Sequence, residues 1–97
     1  MNVKAVSENE FTKAFTYKEN VELFFSKAYD EDSDKHFIIL SIPKIEEVEA
    51  AQINYPFSFE TELERDNFFK NFELGWVEQF IEDIIQHIKE QKQTNAD

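Results

Sequence analysis

Apolar positions change period along the chain, and each change marks an element. Ser7-Glu8-Asn9-Glu10 has the form of a capping box, with Ser7 as N-cap and Glu10 reaching back. Val6 and Phe11 flank it at the staple positions, and Phe11, Ala14 and Phe15 recur at helical spacing. This predicts a short helix over 8–16, preceded by an irregular end at 1–6. Residues 20–29 (NVELFFSKAY) alternate instead: Val21, Leu23, Phe25 and Tyr29 share one side, with Lys27 interrupting the row. Aromatic and β-branched residues at period two predict a strand. After the polar turn Asp30–Asp34, residues 35–43 (KHFIILSIP) predict a second strand paired antiparallel with it. Residues 44–50 fit a loop, a helical turn or a strand continuation. Over 51–60, Ile53, Tyr55, Phe57 and Phe59 alternate with polar neighbours. Pro56 cannot donate to a ladder, so this third strand is expected at an edge.

Thr61-Glu62-Leu63-Glu64 repeats the capping-box form and predicts a helix over 62–73, with Leu63, Phe68, Phe69 and Phe72 apolar. Gly75 either ends it or kinks it. The stretch 76–91 carries a wide helical stripe of Val77, Phe80, Ile81, Ile84, Ile85 and Ile88. Residues 92–97 are polar and predict a flexible end. The expected fold is α+β: one domain over 1–97, a three-stranded antiparallel meander with a short N-terminal helix and one or two C-terminal helices, in the order α-β-β-β-α-α. Its expected core includes Phe57, Phe59, Phe69, Phe72, Phe80, Ile81 and Ile84. Phe24, Phe37 and Ile39 point to the opposite sheet face. The N-terminal helix is expected to cover them, with a homodimer through this second face as the alternative.

Charge changes the picture. The 97 residues hold 21 acids against 10 lysines and arginines, a net charge of −11. Residues 46–83 hold eleven acids and only Arg65 and Lys70 as bases, so the excess belongs to the second half of the chain. A field of this sign repels nucleic acid and anionic membranes and favours a basic protein partner. The carboxylates expected to meet such a partner are Glu60, Glu62, Glu64, Asp66, Glu78, Glu82 and Asp83, with Glu46, Glu47, Glu49 and Glu73 nearby. The competing interpretation is a solvated surface, since acids in a first helical turn also complement the helix dipole. Glu78 and Glu82, like charges at i and i+4, cost stability.

Catalytic chemistry finds little support. Asp30, Asp32 and Asp34 resemble the start of a calcium loop, but the sixth and twelfth positions are Lys35 and Ser41 where glycine and glutamate are required. His36 and His87 have no partner at ligand spacing, there is no cysteine, and one glycine cannot build a phosphate loop. No catalytic set, metal or cofactor is expected, and the chain is expected not to be an enzyme. With no membrane-length apolar run and no signal-peptide pattern, it is expected in the cytoplasm.

Phe69 to Trp76 (FKNFELGW), followed by Glu78, Glu82 and Asp83, resembles a stretch of the small acidic phage-encoded anti-CRISPR proteins that block Cas9 by mimicking the duplex it reads. That resemblance implies an inhibitor with helix, three strands and two helices, bound to a nuclease in place of DNA. The chain departs from the pattern in its apolar stretch after Trp76 and its Phe-rich first strands. Three functions follow: an inhibitor or DNA mimic of a basic nucleic-acid-handling protein such as a CRISPR or restriction nuclease; an immunity or antitoxin-like partner of a basic toxin; and a self-associating domain whose charge serves only solubility.

Overall fold

Period-two alternation governs more of the chain than its first residues suggest. In the computed structural model, which describes residues 1–95 with side chains as far as Lys92, five strands form one antiparallel meander. They are β1 (Val3–Glu8), β2 (Thr12–Tyr17), β3 (Val21–Asp30), β4 (Lys35–Ile42) and β5 (Ile53–Phe59), adjacent in that order. Helices α1 (Glu62–Asn71) and α2 (Leu74–Asn95) follow and pack on one face of the sheet. Residues 96–97, at the tip of the expected loose end 92–97, lie outside the described residues.

The order β-β-β-β-β-α-α replaces the expected α-β-β-β-α-α, and the layout implied by the anti-CRISPR resemblance is likewise not that of this chain. The N-terminal helix does not form. Its apparent capping box is a hairpin turn, in which the Asn9 carboxamide oxygen accepts the N–H groups of Phe11 and Thr12. The same bonds could cap a helix, but here the Asn9 N–H also donates to the Thr12 carbonyl at 2.9 Å and closes a hairpin. A short helix would also be marginal alone. As a strand, 12–17 pairs with β3, Phe15 opposite Leu23 and Tyr17 opposite Val21, and buries both aromatics. The helical spacing of Phe11, Ala14 and Phe15 was coincidental: Phe11 is exposed, and Ala14 and Phe15 point to opposite faces. β1 then closes the sheet on that side, with a register irregularity between Ala5 and Ser7.

The remaining strands follow the alternation. Phe25 pairs with Leu40, and Ile38 with Phe57, so inward residues form rows across the sheet. Residues 44–50 resolve into a 3-10 turn at Glu46–Val48 held by the Ile45–Ala50 bridge, with Ile45 and Val48 buried. β5 is an edge strand, consistent with Pro56.

Thr61 caps α1, its hydroxyl accepting the Glu64 N–H at 3.1 Å. The helix ends at Phe72, whose backbone is extended (φ −68°, ψ 144°). Gly75 neither ends nor kinks it: the break precedes it, and Gly75 lies in the first turn of α2. Polar groups also tie α1 to the sheet. Arg65 donates to the Ala28 carbonyl at 3.0 Å, Lys27 pairs with Asp66 at 3.2 Å, and the buried Lys13 donates to the Phe69 carbonyl in the last turn of α1. A cation at that helix end meets unpaired carbonyls and the negative end of the dipole.

Between sheet and helices, Phe25, Ile38, Leu40, Ile42, Val77 and Ile81 are fully buried. Of the expected core, Phe69 and Ile81 are buried, while Phe57, Phe59, Phe72, Phe80 and Ile84 pack against it half-exposed. Leu63, assigned to the apolar side of its helix, is 70% exposed, and Arg65 is buried in its place. Trp76 connects the layers, its ring centroid 6.0 Å or less from those of Phe25, Phe57, Phe68, Phe72 and Phe80.

Phe25→Ala should lower stability by about 3–5 kcal/mol, measured by urea unfolding; a loss near zero would place this ring outside the core. A Cβ added at Gly75 meets no atom within 4 Å. Gly75→Ala should therefore raise stability by up to about 1 kcal/mol through lost unfolded-state freedom, and a lower melting temperature would contradict it.

Candidate interaction surfaces

The seven carboxylates singled out by charge do not form one patch. Glu60, beyond β5, pairs with Lys35 at 2.9 Å. Glu62, in the first turn of α1, lies 3.7 Å from Arg65. Asp66 holds both Lys27 and Arg65, at 3.2 and 3.1 Å. Burial pushes the Asp66 carboxyl up, but the hydrogen bonds from Lys27 and Arg65 outweigh it and hold the group below its ordinary value. These three carboxylates are engaged within the fold. Glu64 is exposed and makes no ion pair among the described residues.

On α2 the picture differs. Glu78, Glu82 and Asp83 have no ion pair among the described residues, nor does Glu73 just before the helix. They do not share one face: Glu78 and Glu82 border one side of the buried stripe of Val77, Ile81 and Ile85, and Asp83 lies on the far side of the helix. Glu78 occupies the β1 flank, accepting the Asn2 N–H at 2.6 Å. Glu82 borders the β2–β3 turn beside Tyr17 and Lys18. Asp83 looks the other way, toward β5, and accepts from Gln79 at 2.9 Å. Further along the chain Glu47 is neutralised by Lys89, whose hydrogen bond and charge lower its carboxyl pKa.

Two apolar surfaces were less visible in the sequence. On the sheet face away from the helices, Phe24, Phe37 and Ile39 lie half-buried in a field with Ala14, Ala28 and Pro56. The N-terminal helix expected to cover them is absent, and no other described element takes its place. The second surface is a groove of about 600 Å³ between β5 and α2, lined by Ile53, Tyr55, Phe80, Ile84 and Ile88, with Asp83 and His87 at its rim. Of these, Phe80 and Ile84 were expected in the core, while Ile53, Tyr55 and Ile88 belonged to the apolar rows of their strand and helix. The available signal was the edge position of β5: one inward row of an edge strand has a neighbour on a single side only.

A smaller polar pocket lies among Tyr29, His36, Glu62 and Arg65. His36 Nδ1 is buried there without a partner, and the Tyr29 ring lies 4.8 Å away. Arg65 donates from Nε to Asp66 and from Nη1 to the Ala28 carbonyl, and its Nη2 lies 3.7 Å from Glu62, so two carboxylates already pair its charge. Tyr29 donates to Asp34 at 2.7 Å, and that bond raises its pKa. In the Asp30–Asp34 turn, Asp30 instead accepts from the Asp32 N–H and the Ser33 hydroxyl. Among the described residues no group of three or more His, Asp or Glu side chains could hold a metal ion.

No protein-family model matches the chain, and no curated protein or solved structure matches it either. No helix among the described residues is long and apolar enough to cross a membrane.

The Asp66 pairs make a pH prediction. A carboxyl whose folded pKa is depressed contributes stability above its unfolded pKa, and that contribution disappears as pH falls through the folded value. Wild type should therefore exceed Asp66→Asn in urea midpoint near neutrality, and the gap should close in acid. A gap that stays constant across that range would show the pairs with Lys27 and Arg65 to be energetically idle.

Proposed function

We propose that the protein is a non-enzymatic, cytoplasmic interaction module that presents the carboxylates of α2 to a basic nucleic-acid-handling protein, occupying its nucleic-acid site as an inhibitor or mimic. The observation that carries this reading is the contrast in pairing. Glu60, Glu62 and Asp66 are paired with cations within the fold, whereas among the described residues Glu64, Glu73, Glu78, Glu82 and Asp83 have no ion pair, and four of these five lie on or just before α2. Carboxylates held at fixed spacing on a rigid helix can take the positions of phosphates opposite lysines and arginines. The net charge of −11 steers such a partner in. The non-enzymatic part rests on the shifted groups: Tyr29, Glu47 and Asp66 each owe their shift to neighbours they already bond, and none faces a nucleophile. An immunity protein for a basic toxin would use the same electrostatics, and the identity of the captured partner separates the two.

The test is capture of the partner from host lysate, followed by affinity measurements with Glu78→Gln and Glu82→Gln combined. Glutamine at 78 keeps an oxygen for the Asn2 N–H, so the contact with β1 survives the loss of charge. Binding should weaken by about 2–5 kcal/mol, and association should slow as salt rises. Unchanged affinity in a folded double variant would make these two carboxylates a solvated surface only.

A further inference from the structure

We propose that the groove between β5 and α2 takes an extended basic segment of a partner protein, added to the sheet as a sixth strand. The backbone supplies the first half of the case. β5 ends the sheet, so among the described residues its outer edge has no neighbouring strand. Pro56 lies opposite Ile39 in the β4 register and has no N–H to give. In an antiparallel ladder alternate residues turn their polar groups to opposite sides. Ile53, Tyr55 and Phe57 therefore bond β4, while Asn54 and Ser58 direct their N–H groups, and Pro56 its carbonyl, outward. That edge is a template for strand addition.

The side chains supply the second half. A strand laid along β5 would send every other side chain toward the helical layer. There it would meet the groove of about 600 Å³ walled by Ile53, Tyr55, Phe80, Ile84 and Ile88. Tyr55 is 46% exposed, so an apolar side chain arriving there removes real surface from water. The lining holds one carboxylate, Asp83, and no lysine or arginine. Asp83 accepts from the neutral Gln79 amide and keeps its charge for an incoming cation. The net charge of −11 opposes a second copy in this position and favours a lysine- or arginine-bearing strand. The occupant is thus an extended segment with apolar residues facing the groove and basic residues between them or at its end. Only the sign of the partner's charge rests on the function proposed above.

The experiment titrates the full chain with two fluorescein-labelled peptides of seven residues, the length of β5, one alternating valine with lysine and the other valine with glutamate. Amide exchange at Asn54 and Ser58 is followed by NMR. The lysine peptide should bind at least about tenfold more tightly than the glutamate peptide and should protect both amides. Asp83→Lys should erase the preference for lysine. Ser58→Pro, which removes an edge donor but leaves the inward row intact, should weaken binding by about tenfold. The proposal is overturned if neither peptide binds, or if the lysine peptide binds without protecting Asn54 and Ser58. It is also overturned if the free protein is a dimer that Ser58→Pro dissociates, since a second copy would then hold the edge. The Glu78→Gln, Glu82→Gln variant should bind the lysine peptide like wild type, so that failure here and failure of the Glu78 and Glu82 surface are read on separate variants.

Discussion

The contact of Trp76 with five phenylalanine rings is the packing on which the two-layer structure depends. It sits where the chain turns from α1 into α2, so one side chain joins both helices to the sheet. Phe72 and Phe68 approach it from α1, Phe80 from α2, and Phe25 and Phe57 from the sheet. Rings meet at offset and edge-on angles here, as their quadrupoles prefer. The break at Phe72 and Glu73 is needed to bring these rings together, because a continuous helix from 62 to 95 could not lay both halves on one sheet. Aromatic side chains suit the position, since each buries much area with few torsions to freeze.

That cluster lies toward one side of a wide sheet. Two helices cover the inward face of the central strands well, and Leu23, Phe25, Ile38 and Leu40 are fully buried. Cover thins out toward β5, and the groove beside Tyr55, Phe80 and Ile84 is the remainder. Charge follows the same geometry. Cations from β2, β3 and α1 converge where α1 meets the sheet: Lys13 and Lys27 lie 4.9–5.0 Å from the Phe69 ring centroid, and Arg65 reaches Ala28. Lys13, Lys27 and Arg65 are committed there, Lys35 to Glu60 and Lys89 to Glu47, and among the described residues none of them reaches Glu78, Glu82 or Asp83. Carboxylates and apolar groove lie on the same helix, Glu78 and Glu82 toward β1 and the β2–β3 turn, and the groove with Asp83 at its rim on the β5 flank. A single basic partner that inserts a strand into the groove could reach both.

Much of this was legible in the residues. The strands at 21–30, 35–42 and 53–59 follow from alternation, because a pleated strand sorts side chains strictly by parity. Pro56 marked its strand as an edge, since a missing N–H excludes a central place. The stripe from Val77 to Ile88 marked α2 through its 3.6-residue period. What misled was local and short. Ser7 to Glu10 satisfies the capping-box pattern, and Phe11, Ala14 and Phe15 satisfy helical spacing, yet the same residues also build a hairpin turn at Asn9 and a strand. Which one forms depends on the open edge of β3, the next strand along the chain, because pairing with it buries Phe15 and Tyr17 as a helix over 8–16 would not. The acidic site divides in the same way. Composition along the chain located the excess of carboxylates in residues 46–83. Local spacing already places Arg65 beside Glu62 and Asp66, but tertiary structure decided the rest, because Lys35, Lys27 and Lys89 reach Glu60, Asp66 and Glu47 only through the fold, 25, 39 and 42 positions away in sequence.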